Sequence, residues 1–112
     1  MHVTAEPGGA VAPYSASAGR RAYLAAHAAL ASAWGRPAVD IGVGGSIGFV
    51  TAYAAAFPDA EILITGVEDP GTRAHAANES LDLAVFERAC AAEALLLRNL
   101  AAGDEQPSYR RA

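Results

Sequence analysis

Alanine fills 29 of the 112 positions. It is the strongest helix former of the twenty residues but brings little side-chain volume. The chain is therefore committed to helix wherever alanine runs uninterrupted. Its core is expected to rest on the few Leu, Ile, Val and aromatic residues between the alanines. The chain is 53% apolar and 18% charged, enough to bury a core and unlike a disordered tail. All eight basic residues are arginine and the net charge is −4, which speaks against a general binder of phosphate backbones. A single cysteine excludes an internal disulfide framework and a cysteine-based zinc knuckle. It also fits, weakly, a reduced cytoplasmic setting.

Glycine and proline divide the chain. Residues 2–6 alternate and read as a short strand. Pro7-Gly8-Gly9 opens a loop that runs to Pro13. A helix is expected over 18–34, with Ser17 as N-cap, Gly35 just past its end and Pro37 barring continuation. Residues 38–43 read as a second strand, Gly44-Gly45-Ser46 as a tight turn and 47–57 as a short apolar helix. Residues 61–65 form an apolar run of the kind buried on both faces of a parallel sheet. A polar loop over 67–78 leads to a helix over 81–102, with Ser80 as cap, Asp82 in its first turn and Gly103 as its end. On its last helix, Phe86, Ala89, Cys90 and Leu97 read as core packing. His27 reads as a helix-surface or half-buried residue.

The order strand–helix–strand–helix implies an α/β fold, a partial parallel sheet with flanking helices and a right-handed crossover. Two such strands do not make a stable sheet covered on both faces, so the chain is expected to be an incomplete piece of a larger fold. Its opening residues carry no secretory signal. The uncharged stretch 41–58 approaches membrane-span length, but its glycines make it a strand, a turn and a helix.

Gly44-Gly45-Ser46-Ile47-Gly48 matches G-x-S-x-G, the strand-to-helix elbow that exposes a nucleophilic serine. Asp69 and His75 follow in the order acid, base. Both fall in one loop, however, and no oxyanion segment precedes the serine. A dinucleotide fingerprint fails, because Ile47 stands where its last glycine belongs.

A longer constellation fits better. Gly44-Gly45-Ser46-Ile47 is followed by an apolar strand, then Gly66-x-x-Asp69, then Ala74-His75-x-x-Asn78-Glu79, then a long helix. This resembles the C-terminal segment of the di-zinc metallopeptidases: aminoacylases, acetylornithine deacetylase, succinyl-diaminopimelate desuccinylase, carboxypeptidase G and carnosine-type dipeptidases. Those proteins read GGSIP and AHxxNE at similar spacing, and the resemblance covers residues 2–102. It implies that His75 is a zinc ligand and that Gly44, Gly45 and Ser46 contact the substrate carboxylate. Asp69, Asn78 and Glu79 would then be supporting residues. Residues 1–12 would end a lid or dimerisation domain, 13–103 would belong to the catalytic domain, and 104–112 would be a flexible tail.

Departures from the pattern are plain. Gly48 replaces the usual proline, and Ala76 and Ala77 replace Ser-Pro. The His-x-Asp and Glu-Glu ligand segments are absent. Of the two zincs such a site holds, this chain would supply one ligand. The expectation is thus a fragment of a cytoplasmic amidohydrolase or exopeptidase acting on dipeptides or N-acyl amino acids, inactive alone. Its partners would be the missing N-terminal part of the catalytic domain and a small amide substrate. A homodimer through the lid domain would be possible in the full-length protein, with no role for nucleic acid or membrane. The alternatives are a non-catalytic truncated or degenerate binding module, and a serine hydrolase using the GGSIG turn.

Overall fold

The computed structural model describes residues 3–4, 12–42 and 47–102. Among them three helices form: α1 (Arg21–Trp34), α2 (Gly48–Ala56) and α3 (Leu83–Ala102). No strand or bridge is present among the described residues, which overturns the expected α/β fold with a partial parallel sheet. A strand exists only through hydrogen bonds to a neighbour. Residues 38–42 and 61–65 have no ladder with each other or with any other described segment. The apolar run instead divides: Leu63 packs against the helical core while Ile64 stays exposed. Of the strand expected over 2–6, only Val3 and Thr4 lie among the described residues.

α1 starts three residues later than its periodicity predicts. Gly19 has a φ of 92°, a backbone state that L side chains rarely adopt, and this breaks the helix before Arg20. Ser17 therefore does not cap it. The orphan N–H groups of Ala22 and Tyr23 donate to the Glu61 carboxylate at 2.8 and 3.4 Å. A remote anion thus supplies the charge that a helix N-terminus favours. The other end follows the expectation. Gly35 is left-handed, with φ 67°, and its N–H donates to the Ala31 carbonyl at 2.9 Å.

α3 is capped by Asp82, not Ser80. The Asp82 carboxylate accepts from Ala84 N–H at 2.8 Å and Val85 N–H at 3.0 Å. Ser80 is engaged elsewhere, in the loop described below.

α1 and α3 pack together as an antiparallel pair. Asn99 Nδ2 donates to the Ala25 carbonyl at 3.3 Å, and Arg21 donates to the Leu100 carbonyl. At the opposite end Leu30 and Trp34 face Phe86 and Ala89. The buried cluster is Ala26, Ala29 and Leu96, flanked by Ala25, Leu63, Leu95 and Leu100. The centre is thus two alanines and Leu96, and most of the other large apolar residues expected to fill it lie at its margin or outside. Phe86, Cys90 and Leu97, expected in the core, are exposed.

α2 stands apart, with no Cα within 8 Å of one in α1 or α3. Only Val50 of this helix is buried. Tyr53 and Phe57, one turn apart, stack with ring centroids 4.7 Å apart. The Thr51 hydroxyl donates to the Ala12 carbonyl at 3.1 Å.

Candidate functional site

The loop between residues 66 and 82 carries the residues singled out for chemistry. It is built on Asp69-Pro70-Gly71-Thr72, a sequence suited to a β-turn. Thr72 N–H donates to the Asp69 carbonyl at 3.1 Å, closing the turn. Gly71 N–H donates to Asp69 Oδ1 at 2.6 Å, and Asp69 N–H donates to Thr72 Oγ1 at 2.9 Å. Thr72 is the one buried polar residue among those described, 5% exposed. Its carbonyl accepts from Ser80 N–H at 3.0 Å, while the Ser80 hydroxyl donates to the Gly71 carbonyl at 3.3 Å. The loop is therefore clipped shut from Thr72 to Ser80.

Inside the clip the backbone turns left-handed three times, at Arg73 (φ 54°), His75 (φ 63°) and Asn78 (φ 61°). For a residue with a β-carbon this region costs roughly 1–2 kcal/mol, less for asparagine and histidine. It persists where surrounding bonds enforce it, as the Thr72–Ser80 clip does here. His75, Asn78 and Glu79 are all exposed. The His75 ring has no hydrogen-bond partner among the described residues. No hydrogen bond joins it to Asp69, whose carboxylate is held by Gly71. The expected carboxylate-binding turn, Gly44, Gly45 and Ser46, lies outside the described residues.

Among the described residues, no group of three or more His, Cys, Asp or Glu side chains stands close enough to hold a metal ion. A catalytic zinc needs about three protein ligands. His75 alone does not meet that requirement, so the residues described here do not by themselves fit a zinc.

A second polar cluster joins α1 to the segment after it. His27 Nε2 and Asp40 Oδ1 lie 2.8 Å apart, and the Tyr23 and His27 rings are 5.5 Å apart. The bond to His27 holds the Asp40 carboxyl below its ordinary value, with Tyr23 adding to the effect. The same carboxylate raises the Tyr23 phenol above its ordinary value, mainly by accepting its hydrogen bond. His27 is thus half-buried, one of the two placements its position on α1 predicts, and tethered to Asp40.

Sequence reasoning overlooked Thr72 and Glu61. The Asp-Pro-Gly run was a legible signal for the turn around Thr72. Glu61 carried no local signal, because its partners lie 38 and 39 positions away.

No helix among the described residues is long and apolar enough to cross a membrane. The chain is similar to a cysteinylglycine-S-conjugate dipeptidase from Corynebacterium striatum, 40% identical over 57 residues. Those residues make up 51% of this chain but only 12% of that dipeptidase. No family model matches the chain, and no solved structure does.

Proposed function

We propose that this chain is one part of a metal-dependent dipeptidase or related amidohydrolase, and that His75 is its contribution to the metal site. The observation that carries this reading is the similarity to a dipeptidase over half the chain. The loop geometry supports it. A strained, clipped backbone presents His75 outward and leaves its ring unengaged, as a ligand awaiting a metal held by other groups requires. Gly44, Gly45 and Ser46 are proposed to receive the substrate's free carboxylate, since glycine lets backbone N–H groups approach an anion closely. Asp69 supports the loop through Gly71 rather than through the imidazole. Zinc is the proposed metal, with its remaining ligands on a separate stretch of polypeptide. The chain alone is then inactive and binds zinc weakly.

Complementation tests this. The Corynebacterium striatum dipeptidase is truncated to remove the 57 matched residues, and this chain is added back. Restored hydrolysis of a cysteinylglycine S-conjugate, lost with His75→Ala, is the expected result. Restoration that survives His75→Ala would refute the assignment of His75, and tight one-to-one zinc binding by the chain alone would refute the placing of the remaining ligands elsewhere. A second reading, a binding module without catalysis, is favoured by the lack of a three-ligand group among the described residues. It predicts that the truncated dipeptidase binds the chain without recovering activity.

A further inference from the structure

An open cleft of about 160 Å³ lies between the start of α1 and the end of α2, and none of its lining residues belongs to the loop over 66–82. Two side chains of opposite charge line it. Arg20, exposed just before α1, has a guanidinium with no hydrogen-bond or ionic partner among the described residues. Glu61 is half-buried and spends Oε2 on the amides of Ala22 and Tyr23, while its Oε1 accepts no hydrogen bond from the described residues. The two charges do not pair with each other. Left unpaired on one small space, they offer a ligand two charge-assisted hydrogen bonds, roughly twice as strong as neutral ones.

We propose that this cleft binds a small zwitterionic amino acid, its carboxylate on Arg20 and its ammonium on Glu61 Oε1. The pairing of charges selects against simple ions. A lone anion drawn to Arg20 meets the Glu61 carboxylate, and a lone cation drawn to Glu61 meets the guanidinium. A zwitterion satisfies both. The amides of Ala22 and Tyr23 are already taken by Glu61, so recognition rests on side chains and not on the helix end. The rings of Tyr14 and Phe57 wall the cleft and suit a small apolar side chain, while Ser15 and Ser17 add hydroxyls without other partners among the described residues. Aromatic walls with a few placed polar groups are the usual make-up of a small-molecule site. At about 160 Å³ the cleft is smaller than the ~300–1,000 Å³ of pockets for drug-sized ligands, so its occupant is a single amino acid and not a peptide. None of these residues belongs to the proposed metal or carboxylate site, so loss of one site would leave the other.

Amide NMR titration of the intact chain with L-alanine, L-serine, L-valine and L-leucine, each up to ~10 mM, is the test. At least one should bind with a dissociation constant below ~1 mM and move the amides of Ser15, Ser17 and Glu61. Propionate and isopropylamine, which carry one charge each, should bind at least tenfold more weakly. Arg20→Gln should raise the dissociation constant at least tenfold with helical circular dichroism retained, and Arg36→Gln, exposed beyond the end of α1, should leave it unchanged. No shift at these amides with any of the four amino acids would overturn the proposal. So would propionate or isopropylamine binding as tightly as the best amino acid, or affinity indifferent to Arg20→Gln. Should Arg20→Gln lose its helix, the two single-charge compounds decide.

Discussion

Replacing Glu61 with alanine removes the carboxylate that accepts from the N-terminus of α1. Two amide donors, Ala22 and Tyr23, lose their acceptor, the first at 2.8 Å and the second at a longer 3.4 Å. Losing a side-chain cap costs about 1 kcal/mol, and a negative charge at a helix N-terminus adds about 0.3–1 kcal/mol. The site is part-buried, so water only partly replaces the lost acceptor. The expected loss is therefore about 1.5–2 kcal/mol. Glu61→Gln keeps an oxygen acceptor and loses the charge, so it should recover about half of that. The effect is also long-range, because Glu61 lies two residues from Leu63, which packs on the α1–α3 core. Urea unfolding followed by helical circular dichroism gives the stability change, and hydrogen exchange of the Ala22 and Tyr23 amides locates it. Unchanged exchange at both amides in Glu61→Ala would show that the carboxylate does not cap α1. Equal losses in the alanine and glutamine variants would show that charge alone matters.

Asp82→Ala should destabilise α3 by about 1 kcal/mol in the same unfolding assay, and Ser80→Ala should not melt the helix but loosen the loop, seen as faster exchange of the Thr72 amide. Gly35→Ala places a β-carbon in a left-handed position and should cost about 1 kcal/mol by thermal unfolding. The Asp40 carboxyl is lowered in the folded chain, so its contribution to stability is present above the unfolded carboxylate value and disappears as pH falls through the lower folded value. Asp40→Asn should remove this acid-dependent part of the unfolding curve. Tyr23 is shifted the other way, so its contribution holds below the ordinary tyrosine value and is lost as pH rises through the folded one. Asp40→Asn should move the ionisation of Tyr23, followed by ultraviolet titration, to lower pH.

Helix positions were legible because alanine runs and their breakers are local. Gly35 needs only its own backbone to stop α1, and it does so as its sequence position implies. The sheet was not legible. An apolar run such as 61–65 records that a segment avoids water, not which neighbour it finds. Here the neighbour of Leu63 is a helical pair. Ser80 and Asp82 both suit a helix cap, and the choice between them depends on Thr72, whose carbonyl draws Ser80 into the loop. Within the candidate site, the order Asp69, His75, Asn78, Glu79 could be read from the chain. The left-handed turn at Arg73 could not, since arginine does not favour that region.

The alanine seam between α1 and α3 has a lopsided response to change. Ala26, Ala29 and Ala92 have almost no side chain to delete, so shrinking them opens little void. Enlarging any of them drives the helices apart. That motion would lengthen the 3.3 Å bond from Asn99 to the Ala25 carbonyl and pull Arg21 from the Leu100 carbonyl. Glycine at Ala26, Ala29 or Ala92 should therefore cost little beyond its lower helix propensity, about 1 kcal/mol, while a single added methyl group at the same positions should cost more.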